Sequence, residues 1–162
     1  MNRVIRIATT AALSVCVILF VTGCSQDITN TGSSVNINAD SNWVFSAIRS
    51  NPQSPAGPSL NGSYNVSFQK NNLVVYLPYF GRAYAGADVF SNKSPLDFTS
   101  KSFSLTHLIS KKGNLEITIK PDDYREVQTM NLTVYKNGSA NLRVTMTSRS
   151  PISFDGTVTQ RQ

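Results

Sequence analysis

In successive runs between Trp43 and Val158 the side chains alternate in character from one residue to the next, and that rhythm restricts the possible folds more than anything else in the chain. Trp43, Phe45 and Ala47 alternate with Val44, Ser46 and Ile48, and Tyr64, Val66 and Phe68 alternate with Asn65, Ser67 and Gln69. The run 73–77 follows the turn "KNN". Phe103, Leu105, His107 and Ile109 share one phase of the next long run, and Leu115, Ile117 and Ile119 follow the turn "KKGN". Met130, Leu132 and Val134 precede "KNGS", Ala140, Leu142, Val144 and Met146 follow it, and Ile152, Phe154 and Val158 close the series. Side chains of a strand point to opposite faces in turn, so period two marks strands with one buried face. No stretch reads as an amphipathic helix. Asn137-Gly138 is expected to form a two-residue type I′ turn, because Asn-Gly tolerates both of its positive-φ positions.

About eight such strands, joined by short polar turns, must bury their shared apolar faces. The expected fold is all-β: an antiparallel up-and-down meander closed into a lipocalin-like barrel. A two-sheet β-sandwich is the alternative.

The front of the chain carries a different signal. Arg3 and Arg6 flank an uncharged, mostly apolar run from Thr9 to Val21, which ends in "VTGC" at Cys24. This is a signal-peptide pattern, with a core too short for a stable membrane span. Small residues before a cysteine also resemble a lipobox. Cleavage before Cys24 would leave its thiol to be acylated, and acyl chains anchor a protein without spanning the bilayer. The expected organisation is a signal peptide over 1–23, the lipidated Cys24 with a flexible tether over 24–41, and one all-β domain over 42–162. The tether "SQDITNTGSSVNINADS" has no aromatic residue and few apolar ones, as flexible linkers do.

Charge and cysteine content exclude several functions. Without Arg3 and Arg6, 13 basic and 9 acidic residues remain, a net of +4. The basic residues are scattered, Lys111-Lys112 being the only adjacent pair, so no nucleic-acid stripe is present. Cys16 leaves with the signal and Cys24 is consumed by the anchor, so the domain has neither a disulfide nor a thiolate metal ligand. His107 is the only histidine. It lies in phase with Phe103, Leu105 and Ile109, so it is expected as a core histidine facing the apolar side. No G-x-S-x-G elbow accompanies it, and one histidine without cysteine does not make a zinc site. Asp122, Asp123 and Glu126 in "KPDDYRE" are read as a turn rather than a calcium loop. No nucleotide motif occurs. Neither a catalytic residue, a metal nor a cofactor is expected.

One stretch stands outside the strand rhythm: "LPYFGRAY", residues 77–84. Pro78 cannot donate to a ladder and so belongs at a strand end, an edge or a bulge, and Gly81 permits a sharp change of direction. Tyr79, Phe80 and Tyr84 surround Arg82. They read either as an aromatic plug at a barrel end or as a ligand-binding mouth, with Arg82 held against aromatic faces or gripping an anion. The unpatterned loop 83–95 behind them keeps the binding reading in play, because long loops are often functional.

"YLPYFGRAYAG", "ITIKP", "LTVYKNGSANLRV" and "PISFDGTV", in that order, resemble a family of bacterial lipoproteins, mostly from Bacteroidetes, of the type described as a domain of unknown function, DUF4251. The resemblance runs from about Trp43 to the end of the chain. It implies an outer-envelope lipoprotein with an all-β domain, and it brings no activity or catalytic position with it. The expected function is therefore a non-enzymatic envelope lipoprotein that binds a small ligand or envelope component through Tyr79, Phe80, Arg82 and Tyr84. The alternative is a structural subunit docking on another envelope protein, and a hydrolase is disfavoured. The expected location is lipid-anchored in the bacterial envelope, with Ser25 after the anchor pointing to the outer membrane by analogy with lipoprotein sorting.

Overall fold

The computed structural model describes residues 39–52, 57–61, 63–84 and 93–161. The expected signal peptide, Cys24 and the tether up to residue 38 lie outside the described residues. Among the described residues nine strands form one sheet: β1 (Trp43–Pro52), β2 (Asn65–Gln69), β3 (Asn72–Tyr76), β4 (Asp97–Ser100), β5 (Phe103–Ile109), β6 (Leu115–Pro121), β7 (Val127–Val134), β8 (Ser139–Met146) and β9 (Ile152–Gln160). Their order in space is β4-β3-β2-β1-β9-β8-β7-β6-β5. Every neighbouring pair is antiparallel.

Strand direction flips at each step of that order, so the two outermost strands, β4 and β5, run the same way. Only Lys101 and Ser102 separate them in sequence. A chain cannot return to a parallel neighbour in two residues, since parallel pairs need a crossover of a dozen or more. β4 and β5 are therefore consecutive halves of one bent strand, the first paired with β3 and the second with β6. Counted this way the sheet is an eight-strand meander, and the backbone itself joins its two edges into a nearly closed barrel. The β1–β9 ladder, from Trp43↔Gln160 to Pro52↔Ile152, completes the ring. This is the up-and-down barrel the alternation predicts. β4 escaped the sequence reading because four residues are too few to display a period.

The period-two face fills the interior. Trp43, Phe45, Leu73, Met130, Leu132 and Phe154 are all below 2% exposed. Trp43 stacks on Phe68 with centroids 5.3 Å apart, and Phe68 meets Phe103 edge-on at 5.8 Å. Each such side chain contributes about 1.5–3 kcal/mol on leaving water. A barrel of this strand number is just wide enough for side chains to fill.

Gly156 shows how tight the β1–β9 seam is. A Cβ there would lie 2.1 Å from the Ser46 carbonyl oxygen and 2.9 Å from a Phe45 ring carbon. Opposite it, β1 bulges between Ala47 and Arg49, which turns Ile48 outward to 52% exposure.

The Asn137-Gly138 reversal joins β7 to β8 as expected, but it is not a type I′ turn. Only Gly138 has positive φ, at 81°. Gly138 N–H donates to Tyr135 O at 2.9 Å, and Tyr135 N–H donates to Ser139 O at 2.9 Å. This is a three-residue loop ending in a left-handed glycine. Asn137 stays out of the left-handed region because its Oδ1 accepts from Ser139 N–H at 3.1 Å and Ser139 Oγ–H at 2.7 Å. The β5–β6 hairpin repeats the pattern with Gly113 at φ 76° and Gly113 N–H donating to Ser110 O at 2.8 Å.

Up-and-down order sorts the connections by end. The start of β1, the end of β9 and the β2–β3, β5–β6 and β7–β8 hairpins share one end, here the tether end. The β1–β2, β3–β4, β6–β7 and β8–β9 connections share the other, the loop end. Packing at the tether end begins before β1: Ala39 is 3% exposed and accepts a hydrogen bond from Trp43 Nε1 at 3.3 Å.

His107 is not a core histidine. Its side chain is 42% exposed, with Nδ1 3.8 Å from Asp40 Oδ1. Burial fades along β5 from half-buried Phe103 and Leu105 to exposed His107 and Ile109, because the strand runs past the packed interior to the tether-end rim.

Candidate functional site

At the loop end, the segment after β3 leaves the sheet and crosses to the β8–β9 connection. Pro78 sits two residues past the end of β3, where a missing N–H costs no ladder bond. Leu77 remains buried, and its N–H donates to Leu96 O at 2.9 Å. Beyond it the chain pairs with residues 148–150. Tyr84 N–H donates to Ser148 O, and Ser150 N–H to Arg82 O, each at 2.9 Å. Arg82 N–H donates to Ser150 Oγ at 2.8 Å. Residues 77–84 thus form a strap over the barrel end.

Tyr79 fastens this strap. Its hydroxyl lies 2.8 Å from Ser150 O, 3.0 Å from Arg82 O and 3.1 Å from Ser150 Oγ. Burial pushes the Tyr79 hydroxyl pKa up, against the lowering effect of the Ser150 hydrogen bond and of Arg149. Gly81 is needed here for space rather than for direction. It has no positive φ, and a Cβ would come within 2.2 Å of the Tyr79 hydroxyl and 2.6 Å of Ser150 Oγ.

The guanidinium over an aromatic face belongs to Arg149, 5.5 Å above the Tyr79 ring, while Arg82 is exposed. Phe80 and Tyr84 are 47% and 54% exposed. Of the four residues singled out from the sequence, the structure brings Tyr79 and the Arg82 backbone together and turns Phe80, Tyr84 and the Arg82 side chain toward solvent.

Beside the strap lies a cleft of about 200 Å³, lined by Lys93, Ser94, Pro95, Asp97, Tyr124, Glu126 and Arg149. Three connections build it. Ser94 Oγ donates to Leu77 O at 2.6 Å and accepts from Leu96 N–H at 3.1 Å, which fixes the tail of the β3–β4 loop. Tyr124 stacks on Phe98 at 4.0 Å, and its hydroxyl donates to Pro95 O at 2.9 Å. Burial raises the Tyr124 pKa, with Glu126 adding to the rise. Thr147 N–H donates to Glu126 O at 3.0 Å, and Thr147 Oγ–H to Arg125 O at 2.6 Å, joining the β6–β7 and β8–β9 loops. Across the cleft wall Arg149 Nε stands 3.8 Å from Glu126 Oε2, an ion-pair distance beyond hydrogen-bond range. Of the loop 83–95 flagged from the sequence, residues 85–92 lie outside the described residues.

The acidic run has a structural task as well. Asp123 caps the break in the bent strand. One carboxylate oxygen accepts from Ser100 Oγ–H at 2.5 Å, and the other from the N–H groups of Lys101 at 2.9 Å and Ser102 at 3.2 Å. The Ser100 hydrogen bond, more than the backbone amides, holds this carboxyl below the usual carboxylate range. Those two amides are left without ladder partners where β4 hands over to β5, so the turn reading of "KPDDYRE" is correct but incomplete.

Sequence reasoning did not single out Lys93, Tyr124 or Arg149, which lie in irregular segments where periodicity carries no signal. Among the described residues, no group of three or more His, Cys, Asp or Glu side chains converges as a metal site would. A family model described as "Domain of unknown function (DUF4251)" matches residues 22–158, and the chain belongs to that family. No curated protein matches it.

Proposed function

We propose that this chain is a non-enzymatic lipoprotein of the bacterial envelope, held at a membrane by an acylated Cys24, that binds a small polar ligand at the loop end of its barrel. One observation carries the binding reading: the barrel interior is filled by side chains, while the cleft with convergent polar groups lies at the end opposite the tether. Lys93 and Arg149 offer positive charge, Asp97 and Glu126 negative charge, and Tyr124 an aromatic wall. That set suits a small ligand bearing both charges, of amino-acid or short-peptide kind. At about 200 Å³ the cleft is smaller than the roughly 300–1,000 Å³ of sites for drug-sized ligands. The strap residues Tyr79, Phe80, Arg82 and Tyr84 form the neighbouring rim.

A second reading, docking on another envelope protein, rests on the exposure of both Phe80 and Tyr84 on the strap. The test is native mass spectrometry of the detergent-extracted protein. The wild type is expected to carry a small adduct that Glu126→Gln loses and that Cys24→Ala keeps while moving to the soluble fraction. An adduct indifferent to Glu126→Gln would defeat the cleft assignment. Capture of a protein by photocrosslinkers at Phe80 and Tyr84, with no adduct present, would favour docking.

A further inference from the structure

The two ends of the barrel differ in charge. Among the described residues the loop-end connections carry Arg82, Lys93, Arg125 and Arg149 together with Asp122, Asp123 and Glu126, and Lys120 and Asp97 stand at the adjoining strand ends. In the tether-end connections Lys70, Lys111, Lys112, Lys136 and Arg161, all exposed, face Asp40 alone among the described residues, with Glu116 at the adjoining end of β6. Asp40 itself lies against His107 at 3.8 Å.

The same end holds exposed apolar groups. Leu108 and Ile109, at the end of β5, are 55% and 66% exposed, and Tyr135, entering the β7–β8 hairpin, is 40% exposed. The two hairpin tips touch: a Cβ on Gly113 would meet Lys136 Cε at 2.5 Å and Nζ at 2.8 Å. Lys111, Lys112 and Lys136 therefore cluster at one place, with Leu108, Ile109 and Tyr135 flanking them. Into this end the N-terminal segment also arrives, with Ala39 seated in the core and Asp40 beside His107.

We propose that the tether end is a membrane-docking surface, on which Lys111, Lys112 and Lys136 meet the headgroups of an anionic bilayer while Leu108, Ile109 and Tyr135 enter its interface. Three features select a lipid surface as the occupant. Lysine is a mobile point charge suited to a diffuse anionic layer. Leucine, isoleucine and tyrosine beside lysine are the side chains of interfacial anchors. The surface also adjoins the segment that leads back to Cys24. With residues 25–38 between Cys24 and Ala39, an undocked domain could stand up to roughly 50 Å off the membrane. Docking holds it upright, with the cleft and strap facing away from the lipid. This orientation rests on the acyl-anchor reading of Cys24.

The test uses the full protein purified from membranes and reconstituted in vesicles of phosphatidylcholine, with or without phosphatidylglycerol. Nitroxide labels are placed at Leu108→Cys on the tether end or Tyr84→Cys on the loop end. In phosphatidylglycerol vesicles the Leu108 label should be shielded from aqueous nickel and open to oxygen, and the Tyr84 label the reverse. Raised salt should expose the Leu108 label. The triple variant K111Q/K112Q/K136Q should lower the ratio of docked to undocked protein about a hundredfold, at about fivefold per lysine. A Leu108 label equally open to nickel in both lipids, or indifferent to the lysine changes, overturns the proposal. The mass of the purified chain separates the two readings. An acylated chain with a water-exposed Leu108 label keeps the anchor and removes the docking. An unacylated chain that still docks in a salt-sensitive way keeps the docking and removes the anchor. An unacylated chain that fails to bind removes both.

Discussion

The Tyr79 hydroxyl holds the strap to the β8–β9 loop, and Tyr79→Phe removes that oxygen alone. The ring, its burial and its contact with Arg149 remain. A hydroxyl has one proton to donate, so of its three neighbours it donates to one carbonyl, Ser150 O at 2.8 Å or Arg82 O at 3.0 Å, and accepts from Ser150 Oγ at 3.1 Å. Two bonds at about 0.5–1.5 kcal/mol each predict a loss of about 1–3 kcal/mol. For the 123 residues from Ala39 to Arg161, at an unfolding entropy of about 2.1 cal/mol/K per residue, the melting temperature should fall by about 4–12 °C. Thermal unfolding followed by circular dichroism measures it, with Tyr84→Phe as the control, since Tyr84 is 54% exposed. Amide exchange should quicken at Arg82, Tyr84 and Ser150, whose N–H groups make the strap ladder. A Tyr79→Phe protein that melts with the control and keeps those amides protected would show that Leu77 and the backbone bridges suffice, and that the hydroxyl network is incidental.

Gly156→Ala should destabilise by at least about 1–3 kcal/mol in urea unfolding, as forced overpacking does, because its Cβ must displace backbone at Ser46 rather than a flexible side chain. Asp123→Asn should speed amide exchange at Lys101 and Ser102. The folded pKa of Asp123 is lowered, so its contribution is present above the ordinary value of 3.8 and lost as pH falls through the folded one; the variant should show a flatter acid limb of stability. Tyr79 and Tyr124 have raised folded pKa values. Their contribution is full below the ordinary 10.0 and lost as pH rises through the folded values, so alkaline titration at the tyrosinate absorbance should show a late component that shrinks in Tyr79→Phe and in Tyr124→Phe.

The fold was legible because a barrel wall repeats one rule. Residues of β6 such as Ile117 and Ile119 are buried and Glu116 and Lys120 are exposed, as alternation requires when one face meets the core. The rule fails where the strand outlasts the core. His107 and Ile109 keep the phase of Phe103 and Leu105, yet at the rim the inward direction leads to Asp40 and solvent. Phase gives the direction of a side chain and not the depth of packing behind it. Turn chemistry misled for a related reason: Asn-Gly fits more than one tight hairpin, and the side-chain bond from Ser139 to Asn137 decided between them.

The candidate site was half legible. "LPYFGRAY" announced itself by composition, and Tyr79 does hold the loop end together. Arg149, the arginine it packs against, lies 70 residues along the chain, and no local pattern could have named it rather than Arg82. Glu126, Tyr124 and Lys93 reach the cleft from separate connections, and only barrel closure makes them neighbours. Here function is read from which end each connection occupies. An up-and-down barrel sends alternate connections to opposite ends, so the lysine-bearing hairpins gather at the end where β1 begins, while the connections at the far end, irregular apart from the strap's pairing with residues 148–150, build the cleft. Under the two proposals above, a domain so arranged faces lipid with one end and ligand with the other without moving any part of its core.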